Sequence, residues 1–452
     1  MKKGINPTTV VLVGIILFVF WMVLLCGQPA FGQIIGVYGL KATEQPDNVI
    51  YVGEGLRYSS IASAVAACPD NGVIVLHPGR YTDRKVNIPS GKRLKIKGDG
   101  LWSRWVVSDS AFSCAADSLT LENFQLEATG SGQLFWLTPA SGNRPNIWLK
   151  NMTLICSTLT FVDTVLAERG TWYALQPEGI RVSGQASLLN AQEVLFGGHD
   201  IPMNDAKYGI LFENGARGFL KNCQINVSTS NPTNCPAVTV RDNNTKLFLY
   251  DTRIISDKGE AVMAYDSALV YGNGGYWECT DGDHAVVTDS TYAYVQLYYL
   301  NLWATLDITY RHKSTNYATA TFCSFRGALY ADNNSGEFHL IGINSIYTNG
   351  ASPLQDSGNK IRGKPISYFT YGNDSFSGNN ASLTISDPAV RAGSVTAAWY
   401  STEDTNILSG DAVLGIDSDD GSLTLYRAES PNTSGITIRY ISTFLSNSLP
   451  AP

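Results

Sequence analysis

Short alternations of apolar and polar residues restart at a fixed interval along the middle of the chain. Ala237-Val238 opens the segment AVTVRD, Ala261-Val262 opens AVMAYD and Ala285-Val286 opens AVVTD, each 24 residues after the last. Pieces this short and this rich in β-branched and aromatic residues read as strands, with alternate side chains on opposite faces. A strict period between them predicts a solenoid, in which no coil buries its apolar face alone and each stacks on its neighbour.

A second ladder supports the coils. Leu121-Glu122-Asn123, Leu149-Lys150-Asn151, Leu188-Leu189-Asn190, Leu220-Lys221-Asn222 and Leu249-Tyr250-Asp251 each carry an apolar residue, a spacer and Asn or Asp. Asn and Asp tolerate left-handed backbone, so each is expected where one strand bends into the next sheet. Leu126, Leu154, Ile225 and Ile254 follow three positions later and are expected in the core. These corners lie 28, 39, 32 and 29 residues apart, so the excess over 24 should protrude as loops, the largest in 156–178 and 195–208. Roughly nine or ten coils are expected.

The ends read differently. Ser59 and Ser60 cap a short Ala-rich helix, Ile61 to Cys68, which Pro69 stops. Residues 33–351 are expected to form the β-helix, and 352–380, rich in Gly, Ser, Asn and Pro, a linker or irregular cap. Five short alternating segments then predict a small antiparallel β-sandwich over 381–452. At the other end, Lys2 and Lys3 precede an apolar run from Val10 to Leu25 and the small-residue sequence Pro29-Ala30-Phe31-Gly32. Residues 1–32 therefore read as a secretory signal cleaved after Gly32 or as an uncleaved membrane anchor. Either places the body across a membrane from the cytoplasm.

The helix run Ala64 to Ala67, then Gly72 to Tyr81, Ile88 to Lys92 and Ile96 to Gly100, resembles the opening of pectin-lyase-like right-handed β-helix proteins. The resemblance implies an all-β fold: a single-stranded right-handed parallel β-helix with an N-terminal capping helix. It also brings polysaccharide lyases, polygalacturonases, pectin esterases and non-catalytic adhesins as activities to test. The C-terminal segments are similar to small β-domains of phage tail fibres, through Asp387 to Val395, Asp420 to Thr424 and Ser434 to Ile441. Phage-like β-helices are often trimers, which makes a homotrimer an expectation.

Composition narrows the partners. Charged residues are 16% of the chain and the net charge is -7. That leaves no basic field for a phosphate backbone, so nucleic acid is excluded as an expected partner. Cys68, Cys114, Cys156, Cys223, Cys235, Cys279 and Cys323 are dispersed without metal-ligand spacing and read as small thiols stacked inside the coils.

Catalytic candidates are sparse. Gly198-His199-Asp200 resembles one polygalacturonase segment, but the accompanying segments are absent. His199, Asp200 and Asp205 on the 195–208 loop are nevertheless a candidate acid/base cluster, since a glycosidase needs two carboxyl groups across the scissile bond. Coil register brings Asp257 near Asp281 and Asp283 near Asp307, which would suit Ca2+, the one cofactor considered. Turns select Asp and Asn at such corners anyway.

Aromatics carry the remaining signal. Tyr292, Tyr294, Tyr298, Tyr299, Trp303 and Tyr310 fall within less than one 24-residue coil and are the candidate carbohydrate-binding residues, stacking on apolar sugar faces beside polar side chains. The expected function is a non-catalytic surface protein, adhesin- or virion-surface-like, that binds polysaccharide or a glycoconjugate. The alternative is a polysaccharide lyase or glycoside hydrolase acting on an acidic glycan.

Overall fold

A computed structural model gives the architecture. It describes residues 48–114, 116–129, 134–136, 146–156, 159–161, 164–174, 179–185, 187–197, 209–227, 236–280, 284–289, 292–332, 334–348, 354–356, 358, 360–375, 382–386, 395–400, 413–419, 422–427 and 437–446. The proposed signal or anchor, residues 1–32, lies outside them. Among the described residues no helix is long and apolar enough to cross a membrane.

The chain from Gly72 onward winds as a parallel β-solenoid of stacked strands. Three inward columns form its core, one from each face. The first is the restart itself: Ile180, Ile210, Val238, Val262 and Val286 pair in register, each fully buried. A second column runs from Ile74 through Ile96, Leu121 and Leu149 to Leu249, and continues to Leu297 and Leu340. The third holds Trp105, Leu126, Leu154, Trp172, Phe196, Ile225, Ile254, Trp277, Leu302 and Phe325. Each apolar side chain so buried contributes about 1.5–3 kcal/mol, gained only when the adjacent coil is present. Where Gly272 leaves a gap in the second column, the Trp277 ring fills it: an added Cβ would lie 2.6 Å from that ring.

Left-handed residues turn the chain between the second and third faces. Asn123, Asn151, Asn222 and Asp251 do so as expected, with φ of 59, 50, 51 and 46°. Asn190 does not. It lies inside the strand Leu188–Phe196, paired with Leu166 and Phe219, and the corner falls at Glu193 (φ 55°) beside Arg169 (φ 53°) of the previous coil. Their side chains form an ion pair at 3.0 Å, which replaces the amide ladder of Asn151 and Asn123. The column of corners continues through Gly274, Tyr299, Phe322 and Gly342.

The helix Ile61–Ala67 buries Ile61, Ala64 and Val65 in the core at the first coil, and the strand Val49–Val52 pairs with Gly72–Leu76. The Ser60 side chain accepts from the Ser63 amide, and the Asp83 carboxylate accepts from the Ile61 and Ala62 amides, so the open helix N-terminus is satisfied twice over. Cys68, Cys114, Cys156, Cys223, Cys279 and Cys323 are buried thiols, as the sequence predicts. Burial pushes the Cys156 thiol up to about 12. Cys235 lies outside the described residues.

The segment expected as a linker is in part the end of the solenoid. Ile361–Ser375 pairs in parallel with Phe338–Thr348 on one edge and antiparallel with Thr437–Ser446 on the other. Val395–Tyr400 adds to the same antiparallel edge, and Ser382–Ser386, Ser422–Arg427 and Val413–Asp419 form a separate three-stranded antiparallel sheet.

Candidate functional site

The second face turns aromatic on its outer side in the later coils. Strand alternation fixes this: Leu220, Leu249 and Leu297 point inward, so Phe219, Phe248 and Tyr298 must point outward. Phe219 and Phe248 stack at 4.7 Å between ring centroids, Tyr271 follows at 6.1 Å and Tyr298 at 5.2 Å. Rings therefore advance one coil at a time along the solenoid axis. A parallel column places Tyr294 against Tyr317 at 4.7 Å, edge to face. Gln296 donates to the Tyr294 hydroxyl. Burial first, then the Tyr317 contact, raises the Tyr294 phenol well above its ordinary range, so it stays a neutral hydrogen-bonding group.

A cleft of about 260 Å³ opens beside this column, lined by Asn243, Asn244, Lys246, Tyr292, Tyr294 and Tyr317 among others. A neighbouring hollow of about 370 Å³ is bounded by Asp242, Asn243, Asp266, Ser267 and Tyr292. Tyr292, 61% exposed, borders both. Around the corner, on the third face, Tyr276, Asn301, Trp303, Ser324, Arg326 and Tyr347 line a cleft of about 430 Å³. The Arg326 guanidinium lies 4.1 Å from the Trp303 ring centroid, a cation–π contact between two residues that line the cleft. Burial, then the adjacent Glu278, pushes the Tyr276 phenol up to about 12.

Of the residues expected to bind carbohydrate, Tyr292, Tyr294, Tyr298, Tyr299 and Trp303 reach this surface. Tyr310 does not. It pairs with Val286 in the first inward column, is 0% exposed and stacks on Phe338 at 4.5 Å. Phe219, Phe248, Phe322, Arg326 and Tyr347 were not singled out from sequence. Phe219 and Phe248 share a register with Tyr271, which is the signal that finds them.

Of the acidic candidates only Asp257 falls among the residues whose side chains are described. His199, Asp200 and Asp205 lie outside the described residues, as do Asp281 and Asp283. Asp257 is half-buried, and the pairing of Ser256 with Cys279 brings Thr280 to its level on the next coil. Among the described residues no group of three or more His, Cys, Asp or Glu side chains could hold a metal ion. Two carboxylates are buried among the described residues, Glu213 and Glu260, and Glu213 bridges Arg181 and Arg241. Burial opposes its ionisation, but the bonds from Arg241 and Arg181 win and hold its carboxyl below the usual range, so it is a structural anion and not a proton acceptor.

No family model matches the chain, and no curated protein matches it. Solved structures similar to it include the tailspike protein gp49 from Pseudomonas phage LKA1, at 10% identity over 84% of this chain and 91% of that one, TM-score 0.23. The tailspike protein of Acinetobacter phage vB_ApiP_P1 is similar at 9% identity, over 88% and 87% of the two chains, TM-score 0.30. A tailspike protein mutant of E. coli bacteriophage HK620 in complex with hexasaccharide is similar at 10% identity, over 84% and 88%, TM-score 0.25. With TM-scores this low, the fold of this chain rests on its own parallel ladders.

Proposed function

We propose that this chain is a surface protein, of a cell or a virion, that binds polysaccharide along the ring-bearing side of its solenoid. The observation that carries this is the continuous column Phe219, Phe248, Tyr271 and Tyr298, flanked by Tyr294 and Tyr317 and by clefts with amide and hydroxyl groups. Rings outside a solenoid cost exposed apolar area and gain nothing for the core, whereas an apolar sugar face laid on them recovers that area. Neutral phenols and amides beside the rings supply the hydrogen bonds that sugar hydroxyls need. The hexasaccharide in the phage HK620 structure belongs to that protein and is no part of the support here. Assembly as a homotrimer, and export or tethering by residues 1–32, are further proposals.

The test is retention of the purified protein on a panel of acidic and neutral polysaccharides, with unsaturated products and reducing ends recorded in the same samples. Retention without product release is expected. The double variant Tyr294→Ala/Tyr317→Ala should weaken retention about tenfold or more, the loss of one good stacking contact. Release of either product would replace the binding protein with a lyase or a hydrolase. No retention on any member of the panel would sink the proposal.

A further inference from the structure

The corner between the two ring-bearing faces is left-handed in each coil from Asn123 to Gly342. Asn, Asp or Gly occupies most of these corners, as backbone sterics favour, and Arg169 with Glu193 compensate by their ion pair. Tyr299 and Phe322 are the departure: both have φ of 52°, a region in which a bulky side chain costs roughly 1–2 kcal/mol. Burial does not offset that cost, since Tyr299 is 61% and Phe322 47% exposed. Their rings lie parallel, 8° apart in tilt with centroids at 5.5 Å. The next corner is Gly342, where a Cβ would sit 2.6 Å from the Phe322 ring, so the following coil is cleared to let that ring lie flat. Strain held on consecutive coils, without core packing in return, is the mark of a functional constraint.

We infer that Tyr299 and Phe322 form a sugar-stacking subsite that carries a polysaccharide chain around the corner, from the cleft at Tyr294 and Tyr317 to the cleft at Trp303 and Arg326. This rests on the polysaccharide-binding proposal and deepens it. Continuity along the strand supports it. Tyr299 follows Tyr298 of the second face and precedes Asn301 of the third-face cleft, and Phe322 precedes Ser324 of the same cleft. From Tyr294 to Trp303 the chain path is about 30 Å at ~3.3 Å per residue. A ligand that touches both clefts is therefore an extended saccharide chain and not a mono- or disaccharide.

The experiment uses the full chain with Tyr299→Asn and Phe322→Asn, separately and together, because Asn is readily accepted at a left-handed corner. Melting temperature, mass of the assembly without glycan, and affinity for long and short fragments of a polysaccharide retained by the unsubstituted protein are measured. The expected result is a melting temperature equal to or above the original, unchanged mass, and at least tenfold weaker binding of the long fragment with little change for a disaccharide. A lower melting temperature with original affinity would make the rings a structural clip and overturn the inference alone. A changed mass would make them a contact between copies of the chain and overturn it as well. If the unsubstituted protein retains no polysaccharide, both proposals fall.

Discussion

His312 offers a quantitative test of how the later coils are held together. It is fully buried at the end of the strand Asn301–His312, with Nδ1 2.8 Å from the Thr288 hydroxyl and its ring centroid 6.1 Å from that of Phe338. Among the described residues Nε2 has no close hydrogen-bond partner, and the backbone of Asn316 and Gly336 near the ring offsets only part of the cost of burial. Burial, the largest cause, pushes the imidazole down from 6.5 to about 4. The folded protein thus binds the proton less well than the unfolded chain, so the stability is complete above pH 6.5 and is lost as pH falls towards 4. Integrated between pH 7 and pH 5, the loss is about 2 kcal/mol, out of about 3 kcal/mol over the whole window. Substituting His312→Leu removes the titrating group. Because a solenoid need not unfold as one unit, the assay is amide hydrogen exchange in the segments around Ala285–Asp289 and Thr309–Lys313, corrected for intrinsic rates, at pH 7 and pH 5. The unsubstituted protein should lose about 2 kcal/mol of local protection between the two, and the variant much less. Equal losses would show that His312 is not the proton acceptor in the core.

Two other perturbations separate local from cooperative effects. Glu213→Ala should cost about 3 kcal/mol at pH 7 in denaturant unfolding, since Arg181 and Arg241 lose the anion between them; because the Glu213 carboxyl is lowered, its contribution persists above the ordinary carboxylate range and fades only below it. Gly275→Ala should cost more than about 3 kcal/mol, because its φ is 103° and the new Cβ would lie 2.3 Å from the Thr252 carbonyl oxygen of the adjacent coil. Gly91→Ala, at φ 75° with nothing within 4 Å, is the control and should cost only about 1 kcal/mol. Equal melting temperatures for the two glycine variants would refute the close-approach argument.

Much of the coil was legible because its period is a physical one. Val238, Val262 and Val286 recur at 24 residues since each must meet the same inward position one coil on. The same interval leads on to Tyr310, and that was the clue that this tyrosine belongs inside. Asn190 misled for the opposite reason: Leu-x-Asn also arises within a strand, and the true corner at Glu193 bears no turn-forming residue because an ion pair across coils supports it. Ile361–Ser375 was hidden by its Gly, Ser and Asn content; backbone pairing on both edges, and not residue propensity, makes it a strand. The ring columns were half visible. Adjacent aromatics within one coil stand out in sequence, whereas Phe219 and Phe248 become neighbours of Tyr271 only once the register is known.

The strand Ile361–Ser375 reverses the direction of pairing across its own width. A further coil could dock only on a parallel edge, and Thr437–Ser446 occupies that edge in the antiparallel sense, so stacking stops there by geometry. With the strand Val49–Val52 on Gly72–Leu76 and the helix Ile61–Ala67 beside the first coil at the other end, both ends of the described solenoid are independent of how many coils lie between them. Its length is accordingly a free variable in evolution: coils, and the binding surface they carry, can be duplicated or deleted in the interior without redesigning either terminus.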